Sequence, residues 1–248
     1  MNLLRSEWLK LWTTRTTWTM LGIALLGEAL FAGLYVGLAP ISEIEGPASD
    51  PEGLETIATG VGLLLVMMLV LGVLIATTEF RHGTASSTFL ASPQRWPALL
   101  AKLGVAVAVG LLAGLVYVLV NAGLAVSLFD GRGGAVPATA DLTKVYAGVV
   151  ISYALLCAFG LGVGAIVRNQ VGAMIAAIAF FFVLSPLPEL LPGSIGDYFP
   201  AQAIGSLHGS TEGDGSLGQV GGGLVLGAWA LGLFTLGTAL ICRRDVAD

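Results

Sequence analysis

Long apolar stretches constrain this chain more than any other feature of its sequence. Only 11% of the 248 residues are charged and 56% are hydrophobic, whereas a soluble domain carries roughly a quarter charged residues. A helix of about 20 apolar residues crosses the hydrocarbon core of a bilayer. Because that core offers no water, each crossing segment must satisfy its backbone hydrogen bonds internally, as a helix does. The sequence therefore predicts an all-α, polytopic membrane protein.

Six transmembrane helices are predicted from the positions of these stretches. They cover residues 17–38, 55–78, 99–128, 143–167, 171–187 and 219–241. The third is expected to be broken near one end. Residues 17–241 thus form the transmembrane domain, residues 1–16 precede it, and residues 242–248 form a tail.

The basic residues predict the orientation of these helices. With an even number of spans both termini share one side, and nine of the eleven lysines and arginines fall there: Arg5, Lys10, Arg15, Arg81, Arg95, Lys102, Arg168, Arg243 and Arg244. Short cytoplasmic loops carry such an excess of positive charge, so both termini are expected in the cytoplasm. The net charge of −5 then belongs mainly to the outer face, and no basic stripe points to nucleic acid.

The segment before the first span has the pattern of an amphipathic helix. Leu4, Trp8, Leu11 and Trp12 follow helical spacing and form one apolar stripe, with Lys10 on the far side. A basic helix with tryptophans on its apolar face is expected to lie in the membrane interface and contact lipid. Two interpretations stay open: a topology anchor, or a helix that also passes force to a cytoplasmic partner.

The cytoplasmic segment between the second and third spans, residues 79–102, is the most informative. Gly83 is suited to ending a helix, and Thr84 can cap a new one directly after it. Ser92 and Pro93 form a favourable start for the helix that enters span three. The pattern predicts two short helical pieces joined by a turn just below the membrane. In the alternative interpretation, Arg81 and Arg95 only extend to the interface and fix topology.

Glu28 is an ionisable residue near the middle of the first predicted span. Placing such a group at the bilayer centre costs roughly 2.5–3.5 kcal/mol on insertion scales, so Glu28 should face the bundle interior or a wet cavity. Asn121, in the third span, is a candidate neutral partner. Glu28 and Asn121 are therefore tentative substrate-pathway residues, with a packing or subunit-contact role as the alternative.

Residues 185–218 are rich in Pro, Gly and acidic residues, yet they contain apolar patches. Short helices re-entering the outer interface would fit this segment, and so would an ordinary outer loop. The phosphate-binding motif that ends in GK and Ser or Thr is missing, so the chain is not expected to bind ATP in that way. Neither a catalytic constellation nor a metal-ligand motif was found, and Cys157 and Cys242 are interpreted as packing residues.

Taken together, these features resemble the permease subunits of bacterial type-2 ATP-binding-cassette (ABC) exporters. The resemblance covers nearly the whole chain and is most specific in EFRHGT, at the end of span two, and the following TFLASPQRWPALLAK. It implies that a separate ATPase subunit docks on a coupling helix after span two. The residues that it assigns to ATPase coupling are Glu79, Arg81, His82, Gly83, Thr84, Thr88, Phe89 and Leu90.

The same resemblance implies a location in a bacterial inner membrane, and it implies the partners and the energy source. Two cytoplasmic ABC ATPase subunits, which hold ATP and Mg²⁺, would drive a pair of permeases that are identical or sister subunits. No cofactor is expected in this chain, which would not itself be an enzyme. The expected function is export of a hydrophobic or amphipathic substrate: a drug, a peptide or a lipid. The alternatives are a proton-coupled secondary transporter that uses Glu28, and an intramembrane enzyme, for which no nucleophile or metal set was found.

Overall fold

The computed structural model describes residues 3–38, 62–84, 95–130, 140–184, 187, 195–209 and 217–243. Within these ranges the chain is helical and contains no strand, which confirms the all-α prediction for this part of the chain. The α-helices are α1 (Leu3–Thr13), α2 (Arg15–Leu38), α3 (Leu63–Arg81), α4 (Arg95–Asp130), α5 (Ala140–Val167), α6 (Gln170–Ala179), α7 (Pro200–His208) and α8 (Gly218–Arg243). A π-helical turn, Phe180–Leu184, extends α6, and a 3-10 turn, Gly196–Tyr198, precedes α7.

Four of the described helices, α3, α4, α5 and α8, are long and apolar enough to cross a membrane. The protein is therefore compatible with a membrane-embedded bundle. Six crossings stay a prediction, because two of the predicted spans are not among these four helices. The first predicted span corresponds to α2, and the fifth corresponds to a shorter apolar helix over Gln170–Leu184. The third predicted span is not broken, since α4 runs continuously from Arg95 to Asp130.

Helix α5 lies at the centre of the bundle, where it packs against α3, α4 and α8. Glycines make the closest of these approaches. A Cβ atom on Gly72 would lie 2.0 Å from the carbonyl oxygen of Cys157, and one on Gly160 would lie 2.0 Å from that of Leu69. Small residues allow such close backbone contact where lipid supplies no hydrophobic drive between helices. The α3–α5 pair is thus held together by reciprocal glycine contacts.

The short helix α7 packs into the bundle rather than beyond its end. The backbone carbonyl of Leu207 lies against Gly148 of α5, and Gly222 of α8 faces the same turn of α7. The Trp229 indole nitrogen donates a hydrogen bond of 2.9 Å to the carbonyl of Tyr198. Trp229 is 11 residues into α8, about 16 Å along its axis at 1.5 Å per residue. The segment around α7 therefore reaches about halfway along α8.

Candidate functional site

The end of α3 forms a well-defined turn at the segment that the sequence singled out. Gly83 has a φ of +67°, in the left-handed region that suits glycine. The Thr84 amide donates to the carbonyl of Glu79 at 3.0 Å, and the Gly83 amide donates to that of Phe80 at 3.4 Å. This pair of bonds is a Schellman motif, which satisfies the last carbonyls of a helix. The prediction that Gly83 ends this helix is confirmed.

The side chain of Glu79 points into a buried ionic cluster made of Glu7, Lys10, Glu79 and Lys102. The Lys102 amine lies 2.8 Å from a carboxylate oxygen of Glu7 and 3.1 Å from one of Glu79. The Lys10 amine lies 2.5 Å from the other oxygen of Glu7 and 2.6 Å from the same oxygen of Glu79. Three helices, α1, α3 and α4, are thereby joined at one point.

Three of the four cluster residues are almost fully shielded from solvent. Glu7, Glu79 and Lys102 are 6%, 7% and 3% exposed, whereas the Lys10 side chain is half exposed. The two carboxylates balance the two amines, so the cluster carries no net charge. Such balance is required because an unpaired charge in an apolar interior is strongly unfavourable.

Lys10 shows how the cluster acts on an individual group. Partial burial disfavours the positive charge on its amine, but hydrogen bonds and attraction from Glu7 and Glu79 outweigh that effect. The net result is a raised pKa of Lys10. Lys10 lies opposite the apolar stripe of α1 but beside Glu7, three positions earlier, and from there its amine reaches Glu79 of α3.

The burial of α1 differs from the apolar stripe that its sequence suggests. Glu7 is its buried residue, Trp8 and Leu11 are partly buried, and Leu4 and Trp12 are more than half exposed. The contact with the bundle is therefore centred on an ionic residue.

Three arginines at this end of the bundle have hydrogen-bond partners within the protein. Arg95 donates to the carbonyl of Ile241 at 2.7 Å, and Arg168 donates to that of Leu240 at 2.8 Å. Cations stabilise the carbonyl end of a helix, so both arginines hold the end of α8. Arg81, which is exposed, donates to the side-chain oxygen of Gln170 at 3.2 Å. Arg95 thus has a structural contact that the topology interpretation does not require.

Glu28 lies beside the first turn of α3. Its side chain is 3% exposed and accepts a hydrogen bond of 3.2 Å from the backbone amide of Leu64. Gly62, the residue before the first residue of α3, has no side chain to cap the helix. Glu28 of α2 supplies the acceptor instead. A carboxylate is favoured at a helix N-terminus because the amide dipoles point towards it. This contact gives Glu28 a structural role that requires no basic partner.

Asn121 is close to Glu28, as the sequence suggested. Both line a small cavity of about 10 Å³, together with Tyr117. The Tyr146 hydroxyl donates to the Asn121 side-chain oxygen at 3.0 Å. Glu28 and Asn121 lie about 22 Å from the ionic cluster along α3, because Leu64, which bonds Glu28, is 15 residues before Glu79. The two groups therefore occupy opposite ends of α3.

The predicted coupling residues divide into two sets. Glu79, Arg81, His82, Gly83 and Thr84 form the last turn of α3 and its cap. Thr88, Phe89 and Leu90 lie outside the described residues, as does the predicted helix start at Ser92 and Pro93. Among the side chains that the structure describes, no group of three potential metal ligands comes together.

Sequence reasoning missed the roles of Glu7, Lys10 and Lys102. A signal was present, since Glu7 and Glu79 are acidic residues in segments predicted to lie on the cytoplasmic side, where most of the basic residues fall. Glu7 and Lys10 also have the i, i+3 spacing of a helical ion pair. The bond between Glu7 and Lys102 joins residues 95 positions apart, and no local pattern predicts it.

Comparison of the chain with protein families, with curated proteins and with solved structures finds no match.

Proposed function

We propose that this protein is the membrane-spanning permease subunit of an ATP-driven exporter of the ABC type-2 class. It would cross the membrane six times, with both termini in the cytoplasm and α1 in the interface. A pair of permeases, identical or sister subunits, would work with two ATPase subunits that hold ATP and Mg²⁺. The substrate would be a hydrophobic or amphipathic drug, peptide or lipid.

The observation that carries this proposal is the capped end of α3 and its attachment to the ionic cluster. The Schellman turn at Gly83 and Thr84 comes directly before the proposed coupling helix. Glu79, in the last turn of α3, is bonded to lysines of α1 and α4. A force applied to the segment after Thr84 would therefore move α1, α3 and α4 together, as rigid-body switching requires.

The packing of α7 supports a second element of the proposal. Its neighbours are Gly148 of α5 and Gly222 of α8, and the adjoining Tyr198 is bonded to Trp229. If α5 and α8 cross the bilayer, α7 lies within its thickness. This arrangement favours a re-entrant segment over an ordinary outer loop.

Copurification and coupling test the proposal. A tagged chain isolated from its own cells is expected to retain a soluble subunit with a phosphate-binding loop. Arg81→Glu and Thr84→Trp should reduce retention of that subunit and the ATP hydrolysis that depends on the permease. Arg15→Glu and Thr235→Trp are matched controls, since both positions are exposed and lie outside the α3 turn. Normal retention in the first two variants would contradict the coupling assignment.

The rival function is proton-coupled transport through Glu28. The burial of its carboxyl group beside Asn121 and Tyr117 favours it, while the bond to the Leu64 amide accounts for the same carboxyl without transport. The rival predicts that vesicles containing only this chain transport under a proton gradient without nucleotide, and that Glu28→Gln abolishes the transport. That result would overturn the ABC permease proposal.

A further inference from the structure

A groove runs along α4, and its other sides are formed by α1, α2 and the start of α3. Its first part has a volume of about 290 Å³ and is lined by α1 and by Gly104, Val105 and Ala108 of α4. Its second part, of about 380 Å³, continues along the same helix from Val109 to Val116. The two parts meet at Trp8, which lines both.

The chemistry of the groove changes along its length. Arg5, which is exposed, lines the first part and is the only charged residue among the described side chains of either part. The second part is lined by leucines, valines, tryptophans and small residues, with Thr17 as the single hydroxyl. Because Glu7 and Glu79 balance the neighbouring lysines, Arg5 gives this end of the groove a net positive charge.

The aromatic wall of the groove is fixed in position. The indole nitrogen of Trp18 donates to the backbone carbonyl of Trp12 at 2.9 Å, and the two rings meet edge to face at 4.5 Å. Trp8 stacks on Trp12 at 6.1 Å. Tryptophans of this kind are enriched where the polar and apolar layers of a membrane meet. The groove is therefore formed before any ligand arrives.

The length of the groove matches one half of a bilayer. Gly104 and Val116 are 12 residues apart, about 18 Å along α4, and one leaflet contributes about 15 Å of hydrocarbon. The positive end lies at Arg5, in the first half of α1, and the apolar part continues along α4 past Trp12 to Val116. This is the polarity of a phospholipid in the leaflet on the N-terminal side.

We propose that the groove binds one anionic phospholipid of that leaflet. Its phosphate group lies at Arg5, and one acyl chain follows α4 past Trp8 to Val116. The site needs no ATPase and exists whether or not the chain works as an exporter. Positive charge at the head and a continuous apolar path select an anionic bilayer lipid over a zwitterionic one.

Lipid retention in detergent tests the proposal. The full chain is purified in mixed micelles that contain equal amounts of phosphatidylglycerol and phosphatidylcholine, and native mass spectrometry counts the lipids that each chain retains. The wild type is expected to keep one phosphatidylglycerol. Arg5→Ala should lower its retention about fivefold, the factor for one basic residue beside anionic lipid.

Filling the groove gives an independent test. A side chain at Gly22 meets open space, so Gly22→Leu occupies the apolar part without a clash. It should lower retention of both lipids roughly tenfold, since about two methylenes lose their contacts. Gly232→Leu adds the same side chain in open space on α8, and Arg15→Ala removes an exposed arginine that does not line the groove. Both controls should retain lipid as the wild type does.

The proposal fails if the wild type retains the two lipids equally, or if Gly22→Leu keeps phosphatidylglycerol at the wild-type level. It also fails if Gly22→Leu releases the lipid while Arg5→Ala does not, because selection of an anionic headgroup is then absent. A normal size-exclusion profile of Gly22→Leu shows that a loss of lipid reflects the filled groove.

Discussion

The ionic cluster predicts a strong energetic coupling between residues that are far apart in sequence. Lys102→Met removes one of two amines that face two carboxylates, so Glu7 and Glu79 are left with Lys10 alone. Removing one partner of a buried ion pair costs about 3–5 kcal/mol. Since Lys10 remains and is half exposed, we expect the lower end of this range, about 3 kcal/mol.

A double-mutant cycle combines Lys102→Met with Glu7→Gln, which restores the charge balance of the cluster. Glu7→Gln alone leaves an excess amine, but the half-exposed Lys10 can turn to solvent. Its cost should therefore be about 2 kcal/mol, the value for a lost hydrogen bond to a charged group. In the double variant Lys10 still pairs with Glu79 at 2.6 Å, and no excess buried charge remains. The double variant should therefore lose only about 2 kcal/mol, so the coupling energy would be about 3 kcal/mol.

Thermal unfolding in detergent measures this cycle. A loss of 3 kcal/mol should lower the midpoint for Lys102→Met by about 6–12 °C, and the double variant should recover part of that shift. Arg15→Met is the control, since Arg15 is exposed at the start of α2. If the effects of Lys102→Met and Glu7→Gln add within about 0.5 kcal/mol, the four residues do not act as a unit.

Three further predictions concern Lys10, the bond between Glu28 and Leu64, and the packing of Gly72. The folded pKa of Lys10 lies above its ordinary value of 10.5. Its contribution to stability is therefore present below pH 10.5 and is lost as the pH rises through the raised pKa. Unfolding midpoints measured across this pH range should fall less steeply in Lys10→Met than in the wild type. Glu28→Leu leaves the Leu64 amide without its acceptor and should cost about 1–3 kcal/mol, whereas Glu28→Gln keeps an oxygen and should cost less in the same unfolding assay. Gly72→Ala should prevent close α3–α5 packing and lower the yield of folded protein in size-exclusion chromatography, while Gly232→Ala, in open space, should behave as the wild type. Equal behaviour of the two alanine variants would refute the packing argument.

The sequence by itself determined the helices and several of their ends. Apolar stretches of bilayer length predicted α3, α4, α5 and α8, because helix formation in such a stretch depends on local hydrogen bonds and composition. Gly83 predicted the end of α3 for a similarly local reason, since a left-handed residue is needed there. Sequence also offered Asn121 as one candidate neighbour of Glu28, because a buried carboxyl group needs a polar partner, and the two residues line one cavity.

Only the tertiary structure decided which charges meet and what Glu28 contacts. Lys102 and Glu7 are 95 positions apart, and Leu64 and Glu28 are 36 apart. Their meeting depends on the rotation and register of packed helices, which are set by contacts such as Gly72 against the backbone at Cys157. A sequence pattern reports the face of one helix but not the depth at which another helix crosses it. For this reason Lys10 and Lys102 looked like topology signals in the sequence, and the fold made them the centre of a buried cluster.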